Sequence, residues 1–300
     1  MLPCLVLTAG LGTRLRPLTD VLAKPALPVS GQPLVSRILQ SLARQGVTEA
    51  VLNLSHLPHT VTACAGDGSE FGRARMRVRY SWEQPVLGSA GGPRHALPLL
   101  DSPRFVIVNG DTLTDVSIAD VIAAHTSSGA AVTMALVPHP APGRYGGVRV
   151  SDDGRVESFT GRSDTPDTPL WHYIGVQVVE AHVFAGLPDN EPAESVGGIY
   201  KDLVQRGLVH AHRSNAVFRD IGRPEDYIET TLAVASEEGN TTGVVVEAGA
   251  TVDPGAKLDR VIVWSGSRIG AGARLTNCVV AGATVAPGTV AEGECLMPRA

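Results

Sequence analysis

Two arginines and a lysine close behind a pair of glycines are the residues of this chain whose chemistry is easiest to read. In L-T-A-G-L-G-T-R-L-R-P-L-T-D-V-L-A-K-P, from Leu7 to Pro25, a short apolar run ends at Gly10 and Gly12, and Arg14, Arg16 and Lys24 follow. Glycines let the backbone turn sharply and bring bare amides to an anion, and fixed cations behind such a turn suit a polyphosphate. Two familiar phosphate loops do not fit. A dinucleotide fingerprint needs a third glycine where Leu15 stands, and a Walker loop needs Gly-Lys-Ser/Thr where Thr13 and Arg14 stand.

The string G-L-G-T-R-L-R-P-L-T followed by K-P resembles the signature of the sugar-1-phosphate nucleotidyltransferases, the NDP-sugar pyrophosphorylases. Such enzymes join a nucleoside triphosphate to a sugar 1-phosphate and release pyrophosphate. The resemblance implies that Ala9, Gly10, Gly12 and Thr13 line the phosphates, that Arg14 grips the departing pyrophosphate, and that Lys24 holds the reacting phosphates. It also implies Mg2+ as cofactor, with Asp111 in F-V-I-V-N-G-D-T-L and Asp220 in V-F-R-D-I-G-R-P-E-D-Y as its ligands. Phe218 stands where relatives often carry tryptophan. Glu225 and Asp226 follow Pro224 and read as the acidic first turn of a helix, so they are left off the ligand set.

In S-W-E-Q-P-V-L-G-S-A-G-G the resemblance places Glu83, Gln84 and Gly88 against the base, and Gly91, Gly92 and Pro93 then lead into a helix. In G-R-Y-G-G-V-R-V it places Tyr145 and Gly146 beside the sugar, with Gly175 supporting the same pocket. Many relatives carry Glu-Lys-Pro shortly after a phenylalanine, and here Phe159 is followed by Thr160, Gly161, Arg162 and Ser163. Arg162 aligns with the lysine that holds the sugar phosphate, and it reads equally well as a solvated loop charge. The remaining histidines, His172 among them, show no nucleophilic or metal constellation and read as surface or core polar residues.

The elements that must position these residues are visible as patterns. Short β-rich runs (Cys4–Leu7, Ala50–Leu54, Val78–Trp82, Phe105–Asn109, Ala131–Val137) alternate with helical spacings (Leu34–Gln45, Pro93–Leu100, Ile118–His125), as an α/β sheet requires. Ligands of such sheets gather beyond the carboxyl ends of the strands, where the loops after Leu7 and Val108 fall. Past Thr242 a glycine-rich unit recurs at Gly249, Gly266 and Gly282, and inside each unit aliphatic residues recur every six positions: Val246, Val252 and Leu258, then Val263, Ile269 and Leu275. That period is the hexapeptide mark of a β-helix, whose stacked coils bury the ladder. The resemblance implies a Rossmann-like mixed sheet flanked by helices over residues 1–241 and a left-handed parallel β-helix over residues 242–300.

Bulk properties set the remaining bounds. The 300 residues are 43% hydrophobic and carry a formal net charge of -5, enough apolar mass for a large core and the wrong sign for general nucleic-acid affinity. Cys4, Cys64, Cys278 and Cys295 lack paired metal spacing and suit a reducing compartment. No apolar run approaches the roughly 18 residues that span a bilayer, so no membrane partner is expected and a cytoplasmic location is. Coils of this kind stack or pair, so a homo-oligomer is expected. GTP is favoured as donor because a hexapeptide tail points to mannose-1-phosphate guanylyltransferase-like relatives. A UTP- or dTTP-using enzyme of the same fold stands as the alternative, as does a non-catalytic paralogue that senses nucleotide sugar. An acyltransferase on the coils is weaker, since the repeats carry no histidine or other base.

Overall fold

The computed structural model describes residues 1–72, 75–141, 143–161 and 170–298. They form two compact units, each discontinuous in sequence: Met1–Gly10, Ile38–Pro58 and Ala65–Phe218 make the first, and Leu11–Arg37, His59–Cys64 and Arg219–Ala300 the second.

The first unit is built on a nine-stranded mixed sheet. Its central strands run parallel in the order Arg104–Asn109, Cys4–Leu7, Glu49–Leu54 and Arg77–Trp82. The long strand Trp171–Glu180 then joins Arg104–Asn109 antiparallel and carries Val132–Pro138 and Gly147–Val150 beside it. Strand Cys4–Leu7 lies between two parallel neighbours, which explains its unbroken apolar run: Cys4, Leu5 and Val6 are fully buried. Burial also pushes the Cys4 thiol far above the ordinary thiol range, so it is inert. Gly175 interrupts the long strand at a left-handed φ of 80°, where the register with Val132–Pro138 shifts between Tyr173 and Gln177. A Cβ at Gly175 would come within 2.8 Å of Asn109 Cβ, so a glycine is needed on both counts.

Helix Leu34–Arg44 matches the expected spacing, with Leu34, Val35, Ile38, Leu39 and Leu42 all buried. The next helix departs from expectation. It runs Gly88–Leu100, five residues earlier than the Pro93 start read from the sequence, and it holds Pro93 and Pro98 inside. Glycines and prolines should stop a helix, because proline removes a backbone donor and glycine costs chain entropy. Here tertiary structure overrides propensity: the orphan amides of the first turn, Ala90 N–H and Gly91 N–H, both donate to the Ala193 carbonyl at 2.9 and 3.2 Å.

In the second unit, helix Pro224–Glu237 begins with Pro224 at its first position and Glu225 and Asp226 in its first turn. The C-terminal segment forms three parallel sheets, as a left-handed β-helix does: Val244–Val246, Val261–Val263, Val279–Val280 and Cys295–Leu296 in one; Thr251–Val252, Arg268–Ile269 and Thr284–Val285 in the next; Lys257–Asp259, Arg274–Thr276 and Val290–Glu292 in the third. The hexapeptide ladder stacks in register, with Val252 on Ile269 and Val285, and Leu258 on Leu275 and Ala291. Val246 pairs with Val263 as the pattern requires but is 46% exposed, because the first coil has a neighbour on one side only.

Trp264 on the coil donates its indole N–H to the Tyr227 hydroxyl at 2.9 Å, and that hydroxyl donates to the Pro28 carbonyl. The rings meet edge to face with centroids 6.4 Å apart. Tyr227→Phe therefore strands a buried donor and a part-buried acceptor, and we expect a loss of about 1–3 kcal/mol in urea-monitored unfolding of this unit. An unchanged midpoint would show that water replaces the hydroxyl at no cost.

Candidate active site

The second unit carries the phosphate-type loop. Gly12 adopts a left-handed φ of 63° and opens the short turn Thr13–Leu15. A Cβ there would lie 2.8 Å from Thr19 Cγ2 and 3.5 Å from Lys24 Cβ, so the tightness of the turn is what brings the lysine stem beside it. Thr19 Oγ1 donates to the Gly12 carbonyl at 2.9 Å, and Leu15 and Leu18 anchor the loop at zero exposure. Lys24 is 8% exposed, whereas Thr13 and Arg14 stand exposed. Arg16 is exposed as well, and its guanidinium pairs with Asp20 at 3.1 Å, four residues on. Gly10 has no left-handed torsion and open space where a Cβ would sit, so the sharp turn belongs to Gly12 alone.

Asp220 lies in the same unit. Asp220 Oδ2 and Asp226 Oδ2 approach the Cβ position of Gly222 to 2.9 and 3.1 Å, so two carboxylates converge over one glycine. Asp226 occupies the first turn of its helix, as its place after Pro224 implies, and its approach to Asp220 is a feature of the tertiary structure alone.

In the first unit, Asp111 is half-buried just past strand Arg104–Asn109, and Thr112 Oγ1 donates to its Oδ1 at 3.2 Å. Gly110 packs so closely on the Leu7 carbonyl that no side chain fits there. Gly175 abuts Asn109, two residues before Asp111. Asp111 and Asp220 each offer hard carboxylate oxygens, the donor type that magnesium takes from proteins. Among the described residues no group of three or more His, Cys, Asp or Glu converges.

Glu83 is 3% exposed, and its carboxylate accepts from Asn53 Nδ2 at 2.7 Å and from the Leu87 amide at 2.9 Å. Gln84 stands exposed next to it, and Gly88 is half-buried at the head of its helix. Asn53 Oδ1 in turn accepts from the amides of Thr8 at 2.6 Å and Ala9 at 3.3 Å. The backbone N–H of Ala9 is thus already engaged inside the protein. Asn53 escapes a reading by motif, although a lone polar residue in the apolar strand A-V-L-N-L signals a buried partner.

Tyr145 belongs to an aromatic cluster that no sequence pattern announces. His172 lies 4.7 Å from the Tyr145 ring and 4.6 Å from Phe218, and His139 lies 5.6 Å from His172. Phe218 thus packs on the candidate sugar-loop tyrosine, 5.6 Å between centroids. His172 Nδ1 sits 3.1 Å from the Gly146 carbonyl. A carbonyl only accepts, so Nδ1 carries the proton. Burial holds the ring's pKa down at about 4 against an ordinary 6.5. Arg162 lies outside the described residues.

A sheet with parallel central strands, a glycine turn carrying basic residues and a carboxylate past a strand end are features of a nucleotide-handling α/β enzyme. Similarity to known proteins narrows the group: the nucleotidyl transferase family model matches residues 4–237, and the chain belongs to that family, among its sugar-1-phosphate nucleotidyltransferases. The mannose-1-phosphate guanylyltransferase of Mycobacterium tuberculosis is 30% identical over 98% of this chain and 82% of its own length. The UTP–glucose-1-phosphate uridylyltransferase of a Synechocystis strain is 26% identical over 93% and 87%. Among solved structures, HddC from Yersinia pseudotuberculosis complexed with GMP-PN superposes with a TM-score of 0.65 at 23% identity, over 78% of this chain and all of that one. No helix of the described residues is long and apolar enough to cross a membrane.

His172 provides a pH test. The unfolded ring takes its proton near 6.5 and the folded ring only near 4, so its contribution to stability is complete above 6.5 and is lost as pH falls through about 4. The His172 ring resonances should stay flat from pH 8 to 5. A midpoint near 6.5 would refute its placement in the cluster.

Proposed function

We propose that this enzyme transfers the guanylyl group of GTP to a sugar 1-phosphate in a magnesium-dependent, single-displacement reaction. An oxygen of the sugar phosphate attacks the α-phosphorus, the new P–O bond forms as the bond to the β-phosphate oxygen breaks, and pyrophosphate leaves with the electron pair. Asp111 and Asp220 would hold magnesium, which when bound would supply charge neutralisation on the triphosphate. Gly10, Gly12 and Thr13 line the phosphates, Arg14 takes up charge on the leaving pyrophosphate, and Lys24 holds the reacting phosphates. Gln84 and Gly88 face the base, and Tyr145 with Gly146 faces the sugar. No covalent enzyme intermediate is needed, so positioning and charge carry the catalysis.

The observation that carries this reading is the loop itself: a left-handed Gly12, with the Lys24 stem packed against it and Arg14 exposed beside it. GTP is preferred because the guanylyltransferase relative aligns along 98% of the chain, coils included. The uridylyltransferase relative aligns along 93%, which keeps UTP as a second reading.

Purified protein incubated with magnesium, each of the four common triphosphates or dTTP, and a panel of sugar 1-phosphates should release pyrophosphate, fastest with GTP and mannose 1-phosphate. Higher kcat/KM with UTP would transfer the assignment to the second reading, and no turnover with any pair would reject catalysis. Arg14→Ala should lower kcat about 10²–10³-fold, as loss of one preorganised charge contact does. Asp111→Ala and Asp220→Ala should each abolish turnover at limiting magnesium, and a near-normal rate in either variant would remove it from the ligand set.

A further inference from the structure

A chain of buried hydrogen bonds in the first unit runs from the end of the first strand to the head of helix Gly88–Leu100, and every link has a fixed direction. The amides of Thr8 and Ala9 can only donate, so they hold Asn53 with Oδ1 toward them, at 2.6 and 3.3 Å. That orientation forces Asn53 Nδ2 toward Glu83, whose Oε1 accepts at 2.7 Å. The other carboxylate oxygen accepts from the Leu87 amide at 2.9 Å, the residue immediately before Gly88. Thr8 Oγ1 closes the near end by donating to the Asn53 carbonyl.

The chain sits in a tight, dry setting. Asn53 and Glu83 are each 3% exposed and Leu87 1%. A Cβ at Gly92 would fall 2.5 Å from Glu83 Oε1 and 2.9 Å from Asn53 Nδ2, so the helix backbone presses directly on the Asn53–Glu83 bond. The Asn53 carboxamide cannot turn over without setting donor against donor at Thr8 and acceptor against acceptor at Glu83, which is costly in a buried site.

We infer that Asn53 and Glu83 are positioning residues for the nucleotide: they lock the backbone that leads into the phosphate-type loop to the backbone that carries Gln84 and Gly88. The end of the first strand and the segment proposed to face the base then share one link within the first unit. Glu83 acts through Leu87 and not by touching the base itself, so the base-contact role expected for it passes to its neighbours. This inference rests on the nucleotidyltransferase reading above, and the experiment separates the two.

Reversing the polarity of the chain tests it. Asn53→Asp alone sets two carboxylates 2.7 Å apart, a spacing at which both cannot stay ionised. Glu83→Gln alone leaves two donors facing each other, at Asn53 or at Leu87. The double variant restores every bond: the new carboxylate at position 53 accepts from Thr8, Ala9 and the new amide at position 83, whose oxygen accepts from Leu87. Each single variant should raise the KM for the triphosphate about tenfold or more and leave the KM for the sugar phosphate within about twofold. The double variant should return to within about threefold of the parent.

A double variant as impaired as the worse single, or singles with the parental KM for the triphosphate, would overturn the inference. Hydrogen exchange of the Thr8 and Leu87 amides, read without any substrate, provides an independent test. Protection should fall in each single variant and recover in the double, and exchange that stays fast in the double overturns the wiring. If the parent protein turns over no triphosphate at all, the functional reading falls while the exchange result still decides the polarity of the chain.

Discussion

The carboxamide of Asn53 ties the end of strand Cys4–Leu7 to the segment after strand Arg77–Trp82. It is the point where the physics of the first unit is least forgiving, because an amide side chain has one accepting and one donating end and both are committed where solvent is excluded. The backbone ladders of strands Cys4–Leu7, Glu49–Leu54 and Arg77–Trp82 set the spacing of the strands themselves. Beyond the strand ends, at Thr8, Ala9 and Leu87, side-chain hydrogen bonds with a fixed sense take over.

The loop in the second unit solves a different problem, how to keep a buried lysine beside a bare backbone. Gly12 provides the torsion and the absence of a side chain, Thr19 ties down its carbonyl, and Leu15 and Leu18 hold the loop from beneath. Arg14 stays exposed, while Arg16 pairs with Asp20. The two arginines stand two residues apart in sequence, and their surroundings differ because each element in this loop is a single short turn.

The same logic of local spacing explains the coils. A residue at every sixth position meets its counterpart in the next coil, so Val252, Ile269 and Val285 stack whatever lies between them. Exposure of Val246 marks the end of the stack and not a break in the pattern. The coil is joined to helix Pro224–Glu237 by polar as well as apolar contact, since Trp264 and Tyr227 share a hydrogen bond as well as an edge-to-face packing.

Legible in the chain is whatever depends on near neighbours along it. The strands at Cys4–Leu7, Glu49–Leu54 and Arg104–Asn109, the helix from Leu34, the hexapeptide ladder and the phosphate-type turn all follow from periodicity or from residues a few positions apart. The family signature around Gly12 is likewise contiguous, which is why the enzyme class can be read from it. Helix Gly88–Leu100 starts earlier than its glycines and prolines suggest because the partner for its first amides, Ala193, lies about a hundred residues away. His172 reads as an ordinary polar residue until Tyr145 and Phe218 close around it. Glu83 reads as a base contact in the sequence, and only the fold shows Asn53 and Leu87 donating to its two oxygens. Sequence by itself determined the elements and the chemistry on offer; tertiary structure decided which polar groups remain for a substrate, because a buried donor or acceptor is claimed by whatever partner the fold brings within about 3 Å.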